Sequence, residues 1–263
     1  MSTSDAGALS REVSPTRWWV RWRPNSDARL RLFGFPYAGG GAMIYRSWCA
    51  ALSPEIDVFS LQLPGRESKS GQPPFQRIGD LIEALAASMS VEIDRPYAFF
   101  GQSMGALIAF ELLRRLRRDG LPAPEFFVAS ARVAPQLPLR RQSFHHLPEP
   151  EFRDELRRMD GIPAALFDYP ELLEVVSPTL RADFALSDHY DYKPEPPLDC
   201  PVIAIGGDQD AWVQREDLEG WREQTTGDFR CHVLSGNHFF LKSSEPELLT
   251  IVRDAMADAE RRR

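Results

Sequence analysis

The chain has 263 residues and a formal net charge of -7; 43% of it is hydrophobic and 26% charged. That length supports one large domain with a real core, and the composition excludes a disordered, collagenous or coiled-coil chain. The acidic balance argues against a nucleic-acid binder, and no apolar run reaches the ~18 residues of a membrane span.

The first 28 residues are polar and mixed, without the basic, apolar, small-residue order of a secretory signal. Cys49, Cys200 and Cys231 are widely spaced, with no CxxC pair, and read as reduced thiols. Together these predict a cytoplasmic protein. Trp18, Trp19 and Trp22 are expected to pack on a sheet edge rather than form a ligand box. The apolar runs 30–35 and 56–61 read as strands, the first followed by the glycine-rich loop Pro36-Tyr37-Ala38-Gly39-Gly40-Gly41. Residues 78–91 carry Leu81, Ile82, Leu85 and Met89 at helical spacing. Tyr97-Ala98-Phe99-Phe100 is a short apolar run of the fully buried kind, and a broadly apolar helix follows over 104–118. Further strands are expected at 125–130, 201–206 and 229–234, and a last helix at about 246–257.

Strands separated by helices predict an α/β fold with a mostly parallel sheet covered on both faces. The stretch from 133 to 193 breaks that rhythm. Its candidate helices, 149–159, 170–176 and 179–190, are punctuated by Pro148, Pro150, Pro163, Pro170 and Pro178. It is too long for a plain connection and reads as an inserted helical lid. The expected organisation is therefore a core of 17–132 and 194–258, a lid of 133–193, and loose ends at 1–16 and 259–263.

Gly101-Gln102-Ser103-Met104-Gly105 is a GxSxG sequence, weak alone but here between a buried strand and a helix. That context is the nucleophile elbow of the α/β-hydrolase fold, whose sharp turn leaves little room for a Cβ beside the serine. A serine hydroxyl needs a base and an orienting carboxylate, which in this fold follow in the order Ser, Asp, His. Strand 201–206 runs into Gly207-Asp208-Gln209-Asp210, and the last strand into Gly236-Asn237-His238. His238 is the expected base; Asp210 and Asp208 are both candidates for the acid, the other capping the loop. His232 reads as a strand filler, and His145, His146 and His189 as surface or lid packing. The oxyanion needs two backbone donors: Met104, which follows the serine, and one from the loop 38–41. No His, Cys, Asp or Glu cluster has metal spacing, so no metal is expected. The arginine run 114–118 reads as cations favoured at a helix C-terminus.

Several of these stretches together resemble one family, the type II thioesterases that edit polyketide and nonribosomal peptide synthesis. Phe35-Pro36-Tyr37-Ala38-Gly39-Gly40 resembles its oxyanion loop, and Gln62-Leu63-Pro64-Gly65-Arg66-Glu67 its PGRE segment. Leu180-Arg181-Ala182-Asp183 resembles the LRAD signature of its lid, and Gly206 to Asp210 with Gly236 to Phe239 its acid and base segments. The resemblance runs from Trp18 to Ala257. It implies Asp210 as the acid and Ala38 with Met104 as the oxyanion amides. The substrate it implies is an acyl thioester on an acyl or peptidyl carrier protein, bringing its own phosphopantetheine, with no resident cofactor. Two positions depart from the pattern: Gln102 and Tyr37 stand where the family commonly has His, so both are expected to shape the substrate pocket. Phe152, Phe167 and Phe184, with Met159, Leu166 and Leu186, are expected to line an acyl chamber. A monomer is the default. The competing readings are a small-molecule esterase, an acyltransferase or cyclase, and a carrier-binding module on an inactive scaffold.

Overall fold

The computed structural model describes residues 18–159 and 167–263. The expected loose segment 1–16, Pro163 and Leu166 lie outside the described residues. Seven strands form one sheet in the order β1-β3-β2-β4-β5-β6-β7. They are β1 (Trp19–Val20), β2 (Leu30–Phe35), β3 (Ile56–Leu61), β4 (Tyr97–Gln102), β5 (Phe127–Ser130), β6 (Val202–Gly207) and β7 (Phe229–Leu234). Every pairing is parallel except that of β1, the edge strand, where Trp19 lies opposite Leu61.

Successive strand side chains point to opposite faces, so an apolar run serves two cores at once. On one face, Phe33, Phe59, Phe99 and Phe127 meet α2 (Ile78–Met89) and α3 (Met104–Arg118) through Leu81, Leu85, Ile108 and Leu112. On the other, Leu32, Val58, Phe100 and Ile203 meet Trp48 of α1 (Arg46–Ala51). All the side chains just named are essentially fully buried, and each such burial contributes about 1.5–3 kcal/mol. Trp19 closes the first core at the sheet edge, its ring 4.8 Å from that of Phe33.

Between β5 and β6 the chain leaves the sheet and forms α4 (Glu149–Arg158) and α5 (Pro170–Asp188). The break expected between 176 and 179 is absent: α5 is continuous through Pro178. An interior proline costs a helix about 3 kcal/mol. Here Leu173 on one side and Leu180 and Phe184 on the other are buried in one cluster with Phe152 and Leu156 of α4, and that packing offsets the cost. A short α6 (Arg215–Glu219) follows β6. The final helix α7 (Glu245–Arg262) packs Leu248 and Val252 on the second core and also runs further than its pattern suggested. The expected loose end at 259–263 is instead helical almost to the terminus, because Ala259 is buried and Arg263 pairs with Glu125. Among the described residues no helix is long and apolar enough to cross a membrane.

The sheet order reverses beside β2: the chain steps outward from β2 to β3, then returns to place β4 on β2's other side. Open α/β sheets bind ligands at such a switch point, beyond the strands' C-terminal ends. In this register Phe35 lies opposite Gly101, so the loops that follow β2 and β4 emerge side by side.

Candidate active site

Ser103 sits on the turn between β4 and α3 with φ 54° and ψ -114°, a backbone conformation that side-chain-bearing residues rarely adopt. Neighbouring backbone enforces it. The Ser103 N–H donates to the Ser130 carbonyl of β5 at 2.7 Å. A Cβ on Gly105 would stand 2.0 Å from the Phe35 carbonyl oxygen, and one on Gly101 2.4 Å from Ala106 Cα. Only glycine on both sides lets α3 start directly against β2.

The loops after β6 and β7 supply the rest. Ser103 Oγ is 2.8 Å from His238 Nε2, and His238 Nδ1 is 2.7 Å from Asp210 Oδ2. In the tautomer this chain of contacts requires, Nδ1–H donates to Asp210 and Nε2 accepts from the serine hydroxyl. The other oxygen of Asp210 accepts the N–H groups of Trp212 and Val213 at 2.8 and 3.2 Å, which fixes the carboxylate plane. Asp208, the competing carboxylate, is exposed and accepts the Gly236 N–H at 2.9 Å, tying the β6 and β7 loops together. The Trp212 ring, 4.8 Å from the imidazole, packs against His238.

Ala38 and Met104 line the same pocket as Ser103 and His238. Met104 is the first residue of α3, where an N–H has no intrahelical partner and the helix dipole is positive. The Ala38 N–H finds no acceptor among the described residues, whereas Gly39 donates to Asp183, Gly40 to the Tyr37 carbonyl, and Ala42 and Met43 to Glu67. Two residues whose amides find no acceptor among the described residues therefore line the pocket of the hydroxyl, as an oxyanion site requires.

The serine pocket itself is small, about 40 Å³. Ala38, Met159 and Phe184 also line a mostly apolar cavity of about 740 Å³, walled further by Tyr37, Val176, Leu180 and Phe239. Of the described side chains expected in the substrate pocket, Tyr37, Met159 and Phe184 line this cavity, while Leu186 is buried in the first core. Gln102, Phe152 and Phe167 do different work. Gln102 is fully buried and donates through Nε2 to the His238 carbonyl at 3.0 Å, so it braces the histidine loop. Phe152 is fully buried between α4 and α5, under the Arg181 guanidinium at 3.9 Å. Phe167 rests against Arg157 and the same cluster. Periodicity identified these rings as apolar but could not separate a cavity wall from the packing behind it.

Arg132 had no sequence signal. It lines both the serine pocket and a neighbouring cavity of about 470 Å³, and its Nη1 donates to Ser187 Oγ at 3.2 Å. Burial, with Arg141 nearby, pushes its guanidinium down to about 10. Arg66 and Asp183 stood in two separate motifs and meet only in the fold, where they form a buried ion pair. His145, His146 and His189 gather with one another, His145 Nδ1 lying 2.7 Å from Asp188.

The thioesterase domain model matches residues 30–256. The chain is 42% identical over 247 residues to the linear gramicidin dehydrogenase LgrE of Brevibacillus parabrevis, covering 93% of this chain and 94% of that protein. It is 41% identical over 233 residues to the gramicidin S biosynthesis protein GrsT of Aneurinibacillus migulanus, covering 89% and 91%. The solved type II thioesterase BorB from the borrelidin biosynthetic cluster superposes with a TM-score of 0.82 at 34% identity, over 90% of this chain and 97% of that one. With the family model spanning the sheet from β2 to α7 and such relatives aligned along nearly their whole length, the chain belongs to the thioesterase family, in the α/β-hydrolase fold.

Proposed function

We propose that the chain clears stalled or aberrant acyl groups from the phosphopantetheine arm of acyl or peptidyl carrier proteins, by hydrolysis through an acyl-Ser103 intermediate. The observation that carries the reading is the unbroken Ser103–His238–Asp210 hydrogen-bonded chain on the strained elbow. His238 Nε2 takes the Ser103 proton as Oγ attacks the thioester carbonyl, and Asp210 stabilises the imidazolium. The Ala38 and Met104 amides hold the tetrahedral oxyanion. On collapse the carbon–sulfur bond breaks, and the proton held on Nε2 goes to the pantetheine sulfur. Water then gives its proton to His238, attacks the acyl-serine, and releases the free acid and the serine hydroxyl. These steps use no resident cofactor; the arm belongs to the substrate.

The cavity of about 740 Å³ suits the acyl chain, being mostly apolar and sharing its wall with the serine pocket. In this reading 17–132 and 194–258 form the catalytic core and 133–193 the lid, with Met159 and Phe184 facing the chemistry. The type II thioesterase BorB and the gramicidin S biosynthesis protein GrsT support a synthase carrier as the partner. A monomer working in the cytoplasm completes the proposal.

The test is release of free acid from acyl-loaded carrier protein, beside an acyl-nitrophenyl ester, by wild type and Ser103→Ala. Release that depends on Ser103 supports the proposal. Turnover of the simple ester alone makes the chain a free-standing esterase, and turnover by Ser103→Ala removes the nucleophile assignment.

A further inference from the structure

The PGRE and LRAD segments, far apart in sequence, lock together beneath the site. Arg66, in the loop after β3, and Asp183, in α5, form a two-pronged ion pair, Nη1 to Oδ2 at 2.6 Å and Nη2 to Oδ1 at 2.7 Å. Both are buried, 8% and 1% exposed. Each also grips the loop after β2. Asp183 Oδ2 accepts the Gly39 N–H at 2.7 Å, and Arg66 Nη1 donates to the Gly40 carbonyl at 3.1 Å. Thr179, a turn earlier on α5, donates to the Gly65 carbonyl at 2.8 Å. Gly39 holds a positive φ of 79°, and a Cβ there would stand 2.6 Å from Leu180 Cδ2, so α5 and the loop are in van der Waals register as well.

A buried ion pair is a poor way to gain stability, because desolvating both charges offsets their attraction, and an apolar pair of similar volume often does as well. What the fork supplies is orientation: a planar guanidinium on a carboxylate fixes angle as well as distance. Here the oriented object is the Ala38–Gly39 peptide, whose N–H is held by Asp183; it directly adjoins the peptide that carries the Ala38 N–H, and Ala38 lines the serine pocket.

We propose that Arg66 and Asp183 are positioning residues for thioester cleavage: they clamp the loop after β2 to α5, so that the Ala38 amide is aimed at the oxyanion only while α5 is seated. Lifting α5 would take Asp183 from both Arg66 and Gly39 and dismantle one of the two donors. The inserted segment then does more than cover the site; half of the oxyanion site depends on it. This rests on Ser103 being the nucleophile.

The test is the double variant Arg66→Met with Asp183→Leu, which leaves no buried charge unpaired, together with Asp183→Asn, which keeps the shape and loses the charge. On acyl-loaded carrier protein, kcat in the folded double variant falls about 10- to 100-fold while KM stays within about twofold. Affinity for a trifluoromethyl ketone analogue of the thioester, which forms a bound oxyanion on the serine, falls in parallel. Amide exchange rises in the segment 36–42 and not in β2. Asp183→Asn gives a smaller loss of the same kind and decides the matter if the double variant does not fold. Undiminished kcat in folded variants, or a fall in kcat with unchanged analogue affinity, overturns the proposal. Ser103→Ala separates the two levels: if it is dead while the clamp variants are fully active, only the clamp fails, and if it still turns over, the nucleophile reading fails first.

Discussion

Replacing Asp210 by Asn tests the orientation of His238 more sharply than removing any group outright. The Asp210 carboxylate holds two backbone N–H groups on Oδ1 and the imidazole on Oδ2. In the variant the amide oxygen stays on Trp212 and Val213, since leaving buried N–H groups unpaired costs about 1–3 kcal/mol each. That turns the amide NH2 toward His238 Nδ1, which must then accept, so the proton moves to Nε2. A protonated Nε2 cannot take the proton of Ser103. The fold keeps its shape while the base is lost, and kcat should fall about 10³- to 10⁴-fold, or about 4 to 5.5 kcal/mol of transition-state stabilisation. Asp208→Asn is the control: its oxygen can still accept the Gly236 N–H from an exposed site, and activity should stay within about threefold. Single-turnover release of acid from acyl-carrier protein, with melting curves to show equal folding, measures both. Near-normal turnover by Asp210→Asn, or a greater loss in Asp208→Asn, would refute the assigned triad.

Three further outcomes follow from packing and burial. Gly105→Ala places a Cβ 2.0 Å from the Phe35 carbonyl and should cost 1–3 kcal/mol or more, together with activity; Gly79→Ala in α2 meets nothing within 4 Å and should raise stability by about 0.5–1 kcal/mol, both read by denaturant unfolding. Phe152→Ala should destabilise the α4–α5 pair by about 3–5 kcal/mol and leave chain-length preference intact, whereas Phe184→Ala should shift that preference, because only Phe184 lines the large cavity. Burial raises all three thiols, Cys200 to about 12 and Cys231 to about 11, with Cys49 also above its ordinary value. Raised values leave little thiolate at pH 8, so an aromatic disulfide reagent should react slowly with the native protein and with all 3 cysteines after denaturation; fast native labelling would contradict the burial.

The turn and loops that bring Ser103, His238 and Asp210 together were legible because local rules govern them. GxSxG between an apolar strand and an apolar helix has one economical structure, and the carboxylate and histidine lie just beyond later strands, where this fold keeps its functional loops. The boundaries that went astray were decided from outside the segment. Pro178 reads as a break, yet the shared burial of Leu173, Leu180 and Phe184 carries the helix across it. The tail beyond 258 looks polar, but Ala259 has a core to reach and Arg263 a carboxylate on the neighbouring loop.

From the sequence by itself come the alternating sheet, the chain order of Ser103, Asp210 and His238 at strand ends, and the family. All of these follow from hydrophobic period, glycine placement and motif order along the chain. Only the tertiary structure decides what each polar group faces. It sets Asp210, and not Asp208, against His238, turns Gln102 from the pocket to the back of His238, and separates Phe184 from Phe152. It also joins Arg66 to Asp183 across 117 positions of chain. Period and propensity act between residues a few positions apart, whereas orientation and burial are set by neighbours that the fold brings from anywhere.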